Sequence, residues 1–533
     1  MQIKEFDYII CGAGSAGCVV ATRLIEQNKG SVLLVEAGGS DQNFNYKIPA
    51  GIPVVINSTW NYTTEPDART NHREMSCAQG KVLGGSSSVN GMIYLRGQAE
   101  DYDEWANQYG CTGWDFQSIL PYFKKAENNE SLSGEYHGGH GHLAVSDTRL
   151  KHPLTRAFIK AGQELGLPYV TDFNAQSQQG VGFYQHNIKN GERGSSSKTY
   201  LTSVRQSSQL TVQLNTQVDR VLLEHGKAIG IECRIKGLST SIKAKKAVIL
   251  SSGSIGSAKI LLLSGIGPKV HLEDLGIEVK KDLPVGKNYH DHLHTSINAT
   301  IKRPISLYAE DKGISRYKHG LQWLLFREGV VASSVLEGGA FMDTNHEGRP
   351  DVQAMFLPVL DVFDDPSGQG KNYTHGITLK MCHLRPKSRG QLYLRSKNPE
   401  DKVRIEANLL EHPDDVQGLI RATQFGLDLL QQPALLNEID EIFSPNHTVK
   451  RDDTTALEAF VREYCKTTYH PVGTCRMGQN PQDSVVDLNL KVHGIDQLSV
   501  IDCSVIPAIP SGNTNAPTIA IAEKGADLLI QSR

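Results

Sequence analysis

The chain has little that would tie it to a membrane interior, an oxidising compartment or a polyanion. No stretch approaches the ~18 uncharged apolar residues that mark a spanning helix. The opening "MQIKEFDYII" runs straight into an apolar strand, without the basic segment, apolar core and small-residue cleavage site of a secretory signal, so export is not expected. The sequons at Asn57, Asn61 and Asn372 then read as chance matches. Nine cysteines are scattered, odd in number and without a CxxC pair, which points to a reducing compartment and away from a disulfide framework or a zinc site. A formal net charge of -3 leaves no electrostatic footprint for nucleic acid or for strong attraction to anionic lipid. The local "KAKK" at 243 to 246 reads as the solvated start of a strand. Internal repeats and low-complexity tracts are lacking too, and "GEYHGGHGH" at 134 to 142 reads as a loop.

What is present suits a large globular enzyme. At 533 residues, with 39% hydrophobic and 21% charged residues, the chain is expected to divide into two or three domains. Its 50 glycines gather in a few places that matter.

Residues 6 to 11, "FDYIIC", form a short apolar run, and the "SAGCVVATRLIEQ" that follows has helical spacing. "SVLLVEAGG" supplies a second buried strand, completing a strand, helix, strand unit of a parallel sheet. The next segment of that kind, "KKAVILSSGSIGSAKILLLSGIG", begins only near residue 245, so the domain must be discontinuous. Between residues 301 and 460, "VQAMFLPVL", "GITLKMCHL" and "GQLYLRS" read as antiparallel strands, followed by the helical "DVQGLIRATQFGLDLLQQ". These belong to a second domain.

Gly12, Gly14 and Gly17 form GxGxxG between the first strand and helix. There the first glycine permits the tight turn, the second lets backbone approach a pyrophosphate, and the third lets the helix pack on the strand. The helix N-terminus would face the phosphates. Glu36 ends the second strand, where an acid would accept the ribose hydroxyls. The pattern does not separate FAD from NAD.

Four further segments carry a resemblance. "GKVLGGSSSVNGMIYLRG" at 80 to 97 and "GSIGSAKILLLSGIG" at 253 to 267 resemble the two signatures of the glucose-methanol-choline oxidoreductases, with Ala258 standing where that family usually has proline. "TTYHPVGTCRMG" at 467 to 478 and "VIDCSVIPAIPSGNTNAPTIAIAEKGADLL" at 500 to 529 extend the match to both ends of the chain. Within the family the chain is most similar to choline dehydrogenase-like and bacterial aliphatic alcohol dehydrogenases.

The resemblance implies an α/β fold, α+β overall: a discontinuous Rossmann-like FAD-binding domain beside a substrate domain whose antiparallel sheet roofs the flavin. The expected division is 1–150, 201–300 and 465–533 for FAD, and 151–200 and 301–464 for substrate. Gly84, Gly85 and Gly91 would let backbone lie against a flat ring, with Asn90 bonding near it. Ser15, Val82 and Val218 join the expected cofactor set, as do Asp502 and Asn513 by resemblance. Some relatives bind FAD covalently through a histidine in the "SSSVN" stretch. Here Val89 holds that position, so FAD is expected to be non-covalent.

By the same resemblance His470 is the catalytic base and Asn515 its hydrogen-bonding partner, with Asn513 the competitor for that role but assigned to the flavin side with Asp502, and hydride passes from a primary alcohol to flavin N5. Pro471 biases His470 toward extended backbone, and Gly473 permits a sharp turn after it. Electrons would leave for a non-NAD, quinone-like acceptor. An oxidase using dioxygen, a choline dehydrogenase, a non-redox lyase or photodecarboxylase, and a flavin-binding protein without catalysis stay open as alternatives. The expected location is cytoplasmic, with peripheral contact at the inner membrane face as a variant. His290, His292 and His294 alternate as some metal ligands do, but the stretch fits a structural segment of the family and no metal is expected. "RGSSSKTYL" at 193 to 201 lacks the elbow of an activated serine.

Overall fold

The structure, a computed structural model, describes residues 5–361 and 374–531; the Asn372 sequon lies outside them. The strand Glu5–Cys11 pairs in parallel with Val32–Val35 on one side and with the end of Leu238–Leu250 on the other. Leu210–Gln213 extends the parallel set beyond Val32–Val35, and Leu498–Val500 extends it beyond Leu250. Four distant stretches of chain thus build one sheet. Val32 through Val35 are all buried, as are Tyr8 through Cys11, because a parallel sheet is covered on both faces. Helices Ser15–Glu26 and Asn515–Gln531 pack together over it.

Leu238–Leu250 does two jobs. Its first half closes an antiparallel meander with Thr216–Glu224 and Lys227–Ile235, and its second half joins the parallel set. The "KAKK" segment lies at the changeover, where Lys243 and Lys245 are exposed and Ala244 is buried. Lys245 and Lys246 reach Glu5 and Asp7 at 3.2 and 3.4 Å.

The second sheet is antiparallel and runs in the order Ile439–Ser444, Leu293–Ile301, Gly376–His383, Val352–Leu357, Gly338–Met342, Gly180–Phe183. Strand side chains alternate between faces, and this sheet uses the two faces differently. Ala354 and Phe356 pack with Phe158 and Phe425, from helices Pro153–Glu164 and Pro413–Leu430. Met355 and Leu357 turn the other way, into a large cavity.

The position of Leu293–Ile301 corrects one expected boundary. The division read from sequence kept residues up to 300 with the cofactor segments, whereas this strand sits inside the second sheet, between Ile439–Ser444 and Gly376–His383. Its alternation of apolar and polar residues is the antiparallel texture.

Candidate active site and cofactor cradle

A cavity of about 1180 Å³ lies against the parallel sheet at one end and the antiparallel sheet at the other. Single-ligand pockets usually hold ~300 to 1,000 Å³, so this one has room for a cofactor and a substrate. Gly12, Gly14, Ser15 and Glu36 line one end, His470 and Asn513 the other.

At the first end glycine is required by contact. Gly12 sits at φ +101°, and a Cβ there would lie 2.5 Å from the Ser251 carbonyl oxygen. A Cβ on Gly85 would lie 2.6 Å from Gly14 Cα, so the two glycine turns touch. Gly14 caps the Ser15–Glu26 helix without a side-chain hydrogen bond, which leaves the first-turn N–H groups open. Ser15 Oγ donates to Asn515 Oδ1 at 2.8 Å, bringing a second helix N-terminus, that of Asn515–Gln531, to the same place. Two positive helix ends beside bare glycine backbone fit the pyrophosphate of a dinucleotide.

Glu36 Oε2 accepts from Ala13 N at 3.0 Å and Oε1 from Gly38 N at 2.8 Å. Burial pushes its carboxyl up to about 7, against the pull of those two N–H groups. Asp502 is likewise raised by burial and accepts from Gly253 N, Ser257 Oγ and Ser504 N at 2.9, 2.6 and 2.8 Å. Gly85, Asn90, Gly91, Val218, Asp502, Asn513 and Asn515 all line the cavity. Gly17 and Val82 do not. Gly17 lies behind the wall, where a Cβ would come 1.9 Å from the Gly12 carbonyl oxygen, so its part is helix-on-strand packing. Val82 packs with Val55 and Val89. Val89 does reach the cavity, as an aliphatic group unable to form a covalent flavin link.

Arg193 drew no notice in the sequence. It is buried, and its Nη1 donates to the Asn90 carbonyl at 2.6 Å and to Asn90 Oδ1 at 3.1 Å, clamping the glycine-rich loop. Burial pulls its pKa down to about 9.

At the other end a hydrogen-bond chain sets the state of His470. Its backbone N–H donates to Asp291 Oδ1 at 2.8 Å, and Gly473 follows at φ +92°, where a Cβ would lie 2.3 Å from the Asn288 carbonyl oxygen. The imidazole Nδ1 lies 2.9 Å from Thr468 Oγ1 and 3.2 Å from His292 Nδ1. His292 Nε2 lies 2.9 Å from the Leu384 carbonyl, which can only accept, so His292 carries its proton on Nε2 and offers a bare Nδ1. His470 Nδ1–H donates toward it, which leaves His470 Nε2 as a lone pair. Burial first, then the neighbouring His292 and His294, hold His470 well below the ordinary imidazole range and therefore neutral. Burial likewise pulls His292 down to about 4.

The amide beside that lone pair belongs to Asn513, whose Nδ2 is 3.2 Å from His470 Nε2. Asn515, expected there, instead holds Ser15 and donates to Asn187 Oδ1 at 3.3 Å. Asn513, read from the sequence as a flavin-side residue with Asp502, stands beside His470, and Asn515 stands at the glycine turn because it begins a helix whose N-terminus faces that turn. The three alternating histidines also part company. His290 bridges Asn288 O and Ile509 N at 2.8 and 2.9 Å, His292 orients His470, and His294 lines the cavity.

The cavity wall includes the apolar Val89, Ile93, Leu336, Met355 and Leu357. Trp60 and Tyr62 stack at 5.6 Å, and Lys81 Nζ sits 4.2 Å from the Trp60 ring centre.

A dinucleotide cradle on a parallel sheet, joined by one cavity to a half-buried, neutral histidine beneath an antiparallel sheet, is the arrangement of a nucleotide-dependent oxidoreductase. The chain belongs to the GMC oxidoreductase family, whose N- and C-terminal models match residues 6–294 and 386–522. It is similar to an oxygen-dependent choline dehydrogenase of Photobacterium profundum, 40% identical over 98% of this chain and 93% of that protein. It is also similar to an alcohol dehydrogenase [acceptor] of Pseudomonas putida, 38% identical over 99% of this chain and 96% of that one. Among solved structures, a formate oxidase matches with a TM-score of 0.93 at 26% identity, covering 100% of this chain and 99% of that one. Pyridoxine 4-oxidase from Mesorbium loti matches at 0.88 and 28%, covering 98% of each chain. The protein is an FAD-dependent oxidoreductase acting on CH–OH donors.

Proposed function

We propose that the protein oxidises a primary alcohol to an aldehyde at the end of the cavity where His470 faces Asn513. The observation that carries this is the unprotonated Nε2 of a half-buried, neutral His470, which accepts from the Asn513 amide at 3.2 Å in the absence of substrate. A hydroxyl oxygen placed between them would give its proton to Nε2 and accept from Nδ2. An alcohol is nearly as weak an acid as water, at ~15.7, whereas free imidazole titrates near ~6.5, so proton loss needs a fixed donor at the oxygen. Asn513 supplies that donor, and the imidazolium formed at His470 adds its charge. His292 accepts from Nδ1 throughout and keeps the ring turned to the substrate.

Bound in the cradle, FAD supplies the two-electron acceptor for the hydrogen leaving the carbinol carbon. Ser15 and the glycine turns would hold its pyrophosphate, Glu36 its ribose, and Asn90, Gly91 and Asp502 its ring end. Asn515, two residues beyond the proton-handling amide, belongs with the pyrophosphate group. Val89 in the wall supports non-covalent attachment. We assign the cofactor to the segments carrying the parallel sheet, and the substrate to those carrying the antiparallel sheet.

The wall favours a neutral aliphatic alcohol over choline. Asp361 is paired with Lys380 at 2.6 Å and Glu310 with His319 at 2.6 Å, and Asp311 lies on the exposed rim. A quaternary ammonium would have to compete with those bases, and with Lys81 at Trp60. We assign the electrons to a quinone-like acceptor, with dioxygen as the rival.

Anaerobic mixing of the yellow protein with a panel of alcohols tests the reading. Bleaching by aliphatic alcohols supports it, bleaching by choline alone would move the substrate to the quaternary amine, and no bleaching with any alcohol would refute it. Peroxide formation in air would identify an oxidase.

A further inference from the structure

Helix Gly313–Phe326 has its apolar face turned the wrong way for a water-soluble surface. Successive residues of an α-helix advance by about 100°, so Ile314, Tyr317, Leu321, Leu324 and Leu325 share one stripe. That stripe is exposed, at 87%, 79%, 57%, 61% and 62%. The helix is anchored from its opposite side by Trp323, which is buried, donates through Nε1 to the Gly191 carbonyl at 2.7 Å and packs edge-on to Phe44 at 5.4 Å. Six of the thirteen large apolar side chains exposed among the described residues lie on this one helix. Two more, Phe44 and Val54, stand on the same rim of the cavity. Contiguous apolar surface of this kind marks a contact site.

Charge selects the occupant. The exposed stripe is flanked by Lys312, Arg316 and Lys318, while Arg327 pairs with Glu192 at 3.3 Å on the anchored side. Glu310 pairs with His319, which leaves Asp311 and Glu328 as the exposed carboxylates at the two ends, within a protein of formal net charge -3. Lys312, Arg316 and Lys318 are exposed. Two copies pressed together by this face would set like charges against each other. An anionic bilayer would receive the apolar stripe in its acyl region and the flanking cations at its headgroups. Fourteen residues make a helix about 21 Å long, too short to cross a hydrocarbon core of ~30 Å, so it would lie in the interface plane. Arg316 and Leu324 line the cavity as well, which places its rim at the lipid surface.

We infer that helix Gly313–Phe326 docks the protein peripherally on an anionic lipid bilayer, with the cavity rim against the membrane. This surface stands independently of the alcohol chemistry, since binding is read without turnover.

The test is flotation of the FAD-loaded protein with vesicles of phosphatidylcholine alone or mixed with phosphatidylglycerol. The wild type should float with the mixed vesicles, and its bound fraction should fall as salt rises. The double variant Leu321→Glu, Leu325→Glu should stay at the bottom of the gradient while bleaching with a short, soluble alcohol as the wild type does. A Lys318→Glu variant, which keeps the apolar stripe, should bind more weakly and with a shallower salt dependence. No flotation with the mixed vesicles, or equal flotation by the double variant, would overturn the inference. So would a wild-type dimer in solution that the double variant splits into monomers, since a second copy would then cover the face.

Discussion

Asn513 Nδ2 lies 3.2 Å from His470 Nε2, although 43 residues separate them in the chain. With the imidazole neutral and its Nδ1 turned to His292, this pair sets a lone pair beside an amide donor at the cavity wall, as the proposed alcohol oxidation requires.

On the proposed reading, removal of the His470 imidazole should stop proton transfer without emptying the cradle. His470→Ala is expected to slow flavin reduction by ~10² to 10⁴-fold while the flavin-to-protein ratio stays that of the wild type. Equal rates of reduction in stopped flow would take His470 out of this role.

The two asparagines should separate cleanly. Asn513→Ala is expected to slow flavin reduction by ~10²-fold with FAD content unchanged, as for a lost donor at a developing oxyanion. Asn515→Ala leaves Ser15 Oγ without its 2.8 Å partner, and should lower FAD content and melting temperature with little effect on the rate of the flavin that remains. The reverse pattern would return the proton-handling role to Asn515.

His292 is a positioning residue, and its loss should show in the pH profile as well as the rate. His292→Leu removes the acceptor for His470 Nδ1–H and leaves Thr468 Oγ1 as the alternative at 2.9 Å, so a fall of ~10-fold in kcat is expected. Because His292 also helps hold His470 down, its removal should move the acid limb upward. His292→Asn, which can still accept, should recover part of the rate. A loss of stability with an unmoved pH profile would make His292 merely structural.

The wild-type profile follows from the same burial. In the proposed role the active form of His470 is the neutral one, and a lowered pKa keeps that form populated to lower pH. Flavin reduction should stay level from about pH 8 to about pH 6, with the acid limb lying well below the ~6.5 of a free imidazole. A limb centred near ~6.5 or above in stopped-flow traces would mean a solvated histidine.

Gly85→Ala tests the cradle. Its Cβ would meet Gly14 Cα at 2.6 Å from a residue at φ +55°, so the two turns must part. Overpacking of this kind costs ~1 to 3 kcal/mol, which predicts FAD binding weaker by about 5 to 150-fold, read from flavin retained on gel filtration. Full retention would place the cofactor elsewhere.

Much of the architecture could be read from local pattern. The glycine turn between Glu5–Cys11 and Ser15–Glu26, the apolar runs of the parallel sheet and the alternation in Val352–Leu357 and Gly376–His383 each constrain backbone within a few residues. So do Pro471 and Gly473 around His470. Short-range sterics and side-chain periodicity account for these, and they act along the chain.

Which groups meet is decided by packing across the chain, and there the sequence alone was insufficient. Asn513 and Asn515 lie two residues apart in one motif, and only the direction in which Asn515–Gln531 sets off sends one amide to His470 and the other to Ser15. Asp291 and His292 looked like part of a structural segment until the pairing of Leu293 and His294 with Thr467 and Lys466 drew them beside His470. The apolar stripe on Gly313–Phe326 has the spacing of an ordinary core helix, and it is the burial of Trp323 on the other side that turns it outward. The sequence by itself determined the cradle's glycines and the strand and helix periods, because those depend on neighbours in the chain. The tertiary structure alone decided the partner of His470, its tautomer and the outward face of the rim helix, because each depends on contacts between residues the chain holds far apart.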